Sequence, residues 1–70
     1  MSSRETIAFA EALRKKLRED MNNYADDVAT GGCDTFEAYK SLCGKIEGLA
    51  LAERHLLDLL QMQDELDNEE

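Results

Sequence analysis

Ala29-Thr30-Gly31-Gly32-Cys33-Asp34-Thr35-Phe36-Glu37 divides the chain in two. Gly31-Gly32 is the one strong breaker in a sequence of 70 residues that contains no proline. Thr30-Gly31 has the form of a helix end, because glycine can take the left-handed conformation that closes a last turn. Asp34-Thr35-Phe36-Glu37 has the form of a helix start, a capping oxygen answered three residues later by a glutamate. Ser2-Ser3-Arg4-Glu5 repeats that box at the other end of the first segment, with Ser2 as cap. No segment sustains the period-two alternation of a strand. The expected fold is therefore all-α, an antiparallel two-helix hairpin forming a single domain over 1–70. Its first helix covers about 3–30, the turn 31–34, the second helix about 35–64, and an acidic tail 65–70. At 1.5 Å per residue each helix reaches roughly 40–45 Å. The tail places acid at the negative end of a helix dipole, so it is expected to fray unless something holds it.

A chain this short rarely builds a core worth more than about 3–5 kcal/mol unless something staples it. Cys33, Cys43 and the single His55 are too few, and wrongly spaced, for a closed zinc site. One disulfide is conceivable, but in a chain with no secretory leader the two cysteines read more simply as reduced thiols. The apolar runs fall far short of the ~20 residues that span a bilayer. The remaining staple is association, with a second copy or with a larger partner.

The net charge is −8 and it is uneven: residues 1–32 carry −1 and residues 33–70 carry −7. Bare nucleic acid would repel such a chain, since affinity there comes from cations that neutralise phosphates. The basic run Arg14-Lys15-Lys16-Leu17-Arg18 is interleaved with acids at helical spacing, Glu11 four before Lys15 and Asp20 four after Lys16. It reads as a solvated, salt-bridged helix face. No direct nucleic-acid or membrane contact is expected.

Projected at about 100° per residue, the first helix has one apolar stripe, Ala10, Leu13, Leu17, Met21, Tyr24 and Val28. The second helix has two. Tyr39, Leu42, Cys43, Ile46, Leu49, Ala50, Leu57 and Leu60, with Leu56 at the edge, form a face that can pack on the first helix. On the opposite side runs Ser41, Gly44, Gly48, Leu51, His55, Leu59, Met62 and Leu66, at spacings of 3, 4, 3, 4, 4, 3 and 4. A helix that is apolar on two sides must be covered on two sides, and one neighbour covers only one. Mid-helix glycine costs about 1 kcal/mol relative to alanine. Gly44 and Gly48, with Ser41 before them and Ala52 beside, would form a groove of small residues that another backbone can approach. This spacing is a helix-pairing face in membranes. The glycines could equally relieve local crowding or be simply tolerated. The candidate partner-contact residues are thus Ser41, Gly44, Gly48, Leu51, Ala52, His55, Leu59, Met62 and Leu66.

Glu53 falls within the inner stripe and, in a hairpin folded about residue 32 or 33, lies opposite residues 12–14. An ion pair with Arg14, or with Lys16 nearby, explains it better than a catalytic carboxylate, which would need a base, nucleophile or metal beside it. His55 reads as an interface residue or a pH-sensitive contact. Cys33 has no basic neighbour in sequence, Cys43 reads as a small core residue, and Tyr24 and Tyr39 are expected to bury their rings near the turn. Met21 and Met62 read as gap-fillers. No catalytic, metal or cofactor site is expected, and an enzyme is not.

The Ala29-Thr30-Gly31-Gly32-Cys33 turn leads into Phe36-x-x-Tyr39-x-x-Leu42-Cys43-Gly44-x-Ile46-x-Gly48-Leu49-Ala50-x-Ala52-Glu53-Arg54. Over this part of the chain the sequence resembles small acidic helical accessory proteins of tailed bacteriophages. The resemblance implies a virion role near the capsid, portal or head–tail junction, hence a location in the virion or the host cytoplasm, and carries no established set of functional residues. Two other readings stand beside it. An acidic inhibitor or DNA mimic would bind a basic host enzyme in a salt-sensitive way. A homodimeric four-helix bundle, similar in shape to RNA-binding plasmid copy-number regulators, would bury the outer stripes on each other, although its acidity argues against RNA.

Overall fold

The computed structural model describes residues 3–68. Two helices, α1 (Ser3–Ala29) and α2 (Phe36–Asn68), pack against each other as an antiparallel hairpin. Its extents are 55 × 15 × 15 Å. The radius of gyration is 16.0 Å, against about 11 Å for a compact domain of this length. The molecule is a rod two helices wide.

The reversal is set locally. Gly31 adopts φ +81°, and the N–H of Gly32 donates to the Asp27 carbonyl at 2.7 Å. That is the six-to-one bond of a Schellman ending, with Gly31 in its left-handed position. Thr30 adds two bonds to the Asp26 carbonyl, from its N–H at 2.9 Å and its hydroxyl at 2.7 Å. Gly32 is needed for a different reason: a Cβ there would sit 2.9 Å from the Asp27 oxygen. The second helix is capped one residue later than the box pattern implies. Thr35, not Asp34, is the cap, its hydroxyl accepting the Ala38 N–H at 3.0 Å while its carbonyl takes the Tyr39 N–H. Ala38 stands where the box would want a glutamate, so Glu37 does not close it. The first box lies partly outside the described residues, since Ser2 is not among them.

α2 runs to Asn68, past the expected end near 64, and so takes in part of the expected acidic tail. No glycine or proline follows Gly48 to stop it. Leu56, Leu60 and Gln63 continue the half-buried spacing almost to its end. α2 is therefore the longer helix, 33 residues against 27 in α1.

On α1 the seam follows Ala10, Leu13, Leu17, Met21, Tyr24 and Val28. On α2 it follows Leu42, Ile46, Leu49, Glu53, Leu56 and Leu60, at spacings of 4, 3, 4, 3 and 4. This is the three-four alternation of helices packed at a shallow angle. The α2 face differs from the expected one: Leu56 belongs to the seam, whereas Tyr39, Ala50 and Leu57 turn outward. Centring the seam on Glu53 brings Leu56 inward and rotates Leu57 and Ala50 out. Two helices seal little. Ala10 and Met21 are the buried apolar side chains among the described residues, and Leu13 stays exposed even in the seam. Near the turn Tyr24 is half-buried, but Tyr39 is exposed and stacks on Phe36 with ring centres 6.3 Å apart. A hydrogen bond with Cys43 raises the Tyr39 phenol above its ordinary range. Cys33 and Cys43 are free, half-buried thiols.

Candidate association surface

Glu53 is buried to 7% exposure and lies between two arginines on the rim of α1. Arg18 binds it as a fork, Nε to Oε2 at 2.6 Å and Nη2 to Oε1 at 2.8 Å. Arg14 Nε reaches the same Oε2 at 3.3 Å. The Arg18 hydrogen bond holds the carboxyl below the ordinary glutamate range, against the opposing pull of burial, and Arg14 adds to it. The sequence pointed to Arg14 or Lys16; the closer partner is Arg18. Residues four apart share a helix face and residues two apart do not, so Arg14 and Arg18 converge while Lys16 points elsewhere. Glu53 thus faces residues 14–18 instead of 12–14. The carboxylate is consumed by this pairing and faces no cavity.

The candidate contact residues Ser41, Gly44, Gly48, Leu51, Ala52, His55, Leu59, Met62 and Leu66 are all exposed. At about 100° per residue, Gly44, Leu51, His55 and Met62 lie nearly half a turn from Glu53 and Ser41, Gly48, Leu59 and Leu66 somewhat less, so the stripe faces away from the seam and α1 borders its nearer edge at two places. Near mid-helix, Gly48 and Leu49 form a shallow recess with Asp20, Tyr24 and Lys45, whose ammonium sits 5.4 Å above the Tyr24 ring. A Cβ at Gly44 or Gly48 would touch nothing within 4 Å. Neither glycine relieves crowding inside the hairpin.

The second place is the open end. Leu59, Met62 and Leu66 form one wall of a groove of about 280 Å³, Phe9 lies on the other side, and Ala10, Leu56 and Leu60 also line it. Thr6 and Gln63 are its polar lining residues. Phe9 is 65% exposed, Leu59 60%, and Met62 and Leu66 55% each. Phe9 was not singled out from sequence because it stands one position off the α1 stripe. Its signal was there, an aromatic residue four before Leu13.

The molecule exposes 5627 Å². A compact monomer of 7.9 kDa exposes about 4,400 Å². The surplus, about 1,200 Å², exceeds the ~800 Å² that one partner contributes to a standard interface. Among the described residues no three His, Cys, Asp or Glu gather to hold a metal ion, and no helix is long and apolar enough to cross a membrane. Compared with known proteins, the chain matches no family, no characterised protein and no solved structure.

Proposed function

We propose that this chain is a non-enzymatic structural or interaction protein that acts by helix–helix packing, as a small component of a phage virion. The observation that carries the association is the uncovered stripe. Leu51, Leu59, Met62 and Leu66 are more than half exposed on one flank of α2, and Phe9 faces the last three across a groove. Monomers seldom leave a contiguous apolar strip of this kind in water. The non-enzymatic reading is supported by how the polar groups are used. Among the described residues the buried carboxylate, Glu53, is spent on two arginines, and the groove is mainly an aromatic ring, aliphatic side chains and a thioether, with Thr6 and Gln63 as its polar groups. The virion setting rests on the resemblance of the turn and the first half of α2. Quantitative peptide mass spectrometry on purified particles tests it. A fixed ratio of this chain to the coat protein supports the reading. Particles that lack the chain, when their infected host cells contain it, overturn the virion role.

A further inference from the structure

We propose that the open-end groove docks one amphipathic helix from a different protein, with lysine or arginine flanking its apolar stripe. The inference rests on the association reading above and names the chemistry of the partner. Leu59, Met62 and Leu66 follow helical spacing over seven residues, roughly 10 Å or two turns. With Phe9 across from them, they leave the trough between two antiparallel helices into which a third helix fits, as in other helix-in-groove complexes. At about 280 Å³ the trough lies at the lower edge of the usual roughly 300–1,000 Å³ of small-molecule sites, and it is partly open to solvent. That shape suits a row of side chains better than an enclosed ligand.

Charge selects among helices. From His55 to Glu70 the chain has six acids and no lysine or arginine. Asp58 lies four residues before Met62 and Glu65 three after it, both exposed, so each neighbours Met62 on the helix surface. The last turn of α2 contains no base; the α1 dipole presents its positive end at the same place, so the acidic side chains and not the dipole set the sign there. On α1 the cations nearest Phe9 in sequence are Arg4 and Arg14, each five residues away, and Arg14 is engaged with Glu53. A second copy placed groove to groove would set these acidic ends against each other, which disfavours self-pairing. A basic partner helix would instead meet apolar side chains with its stripe and acids with its flanks.

The test uses the full chain and two labelled synthetic peptides. One repeats the heptad Leu-Lys-Lys-Leu-Leu-Lys-Leu, and the other has glutamate in place of every lysine. Fluorescence anisotropy should show the leucine–lysine peptide binding and the leucine–glutamate peptide not binding. Phe9→Ala and Leu59→Ser, which leave the charge unchanged, should each weaken binding about tenfold or more. Ile7→Ala, at an exposed residue outside the groove lining, should leave it unchanged. Both groove residues are exposed, and equal helicity by circular dichroism verifies that the variants fold. Equal affinity for the two peptides overturns the proposal, as does binding that ignores Phe9→Ala and Leu59→Ser. A concentration-dependent dimer that Leu59→Ser dissociates also overturns it, because the occupant is then a second copy. In that case the association reading survives, so the two failures are distinguishable.

Discussion

Arg18 and Glu53 lock the two helices together with a two-pronged contact, 2.6 Å and 2.8 Å, at the middle of a seam that is otherwise largely apolar. Bidentate guanidinium–carboxylate pairs are directional as well as strong. Sliding the helices until Glu53 leaves the Arg14–Arg18 stretch would leave a carboxylate in the seam without a partner, and uncompensated charge there is costly. The cluster therefore limits the register of the hairpin, and the register observed places Phe9 across from Leu59 and Met62.

Arg18→Ala should lower the melting temperature more than Arg14→Ala. Removing Arg18 leaves Glu53 a single 3.3 Å contact, whereas removing Arg14 leaves the fork intact. Arg18→Lys should recover little, since an ammonium cannot reproduce the planar pair. Thermal melts of the three variants followed by circular dichroism give the ranking. Equal losses from Arg18→Ala and Arg14→Ala would show that the fork is not the principal contact.

Acid should erase the benefit of this pairing. Folding lowers the Glu53 pKa below the ordinary 4.5, chiefly through Arg18. The ionised pair thus contributes fully above that value and loses its contribution as pH falls through the depressed one. Glu53→Gln cannot ionise, so it should melt below the wild type near neutral pH, and the gap should close as pH drops under 4.5. Melts across an acid series check this, and a gap that persists unchanged in acid rules out the ionised pair as its source.

The hairpin was legible because its signals are local and agree: one double glycine, a helix end before it, a helix start after it, and apolar stripes on either side. What escaped were matters of one residue. Asp34 and Thr35 both offer a capping oxygen, and sequence alone does not say which hydroxyl or carboxylate meets the free N–H. Nor does sequence alone say how far round α2 the seam lies, which decides between Leu56 and Leu57 and between Lys16 and Arg18 as the partner of Glu53. The outer stripe was legible as a pattern. Its place beside α1 was not, because Phe9 becomes part of the same surface only once the rotation between the helices is set.

The two glycine pairs should respond to alanine with opposite signs. Gly31→Ala forces a side chain into φ +81°, at a cost of roughly 1–2 kcal/mol. Gly32→Ala should be at least as harmful, because its Cβ meets the Asp27 oxygen at 2.9 Å. Gly44→Ala and Gly48→Ala meet nothing, so each should gain about 1 kcal/mol of helix propensity. In a domain of this size 1 kcal/mol moves the melting temperature by about 4–8 °C, which is readily measured. A loss of stability in Gly48→Ala would reveal a close backbone contact at that position.

Leu17→Asp and Leu51→Asp should separate folding from association. Leu17 is half-buried in the seam, and a charge there removes apolar contact and gains no partner, at a cost of about 2 kcal/mol or more. Against the roughly 3–5 kcal/mol that so small a core supplies, this removes about half of the stability or more, so Leu17→Asp should melt far below the wild type. Leu51 is more than half exposed on the outer stripe, so Leu51→Asp should change stability by no more than about 0.5 kcal/mol. Gly48→Leu, which meets open space, should likewise stay folded. If the stripe is a contact surface, Leu51→Asp and Gly48→Leu should shift the solution mass toward the monomer, or lose the partner, while their circular dichroism stays that of the wild type. Light scattering at low and high salt distinguishes the forces involved, because an apolar contact survives salt and an ionic one does not. Should both variants remain folded and keep the wild-type mass and partner, the contact surface does not include the middle of α2 and is confined to its open end.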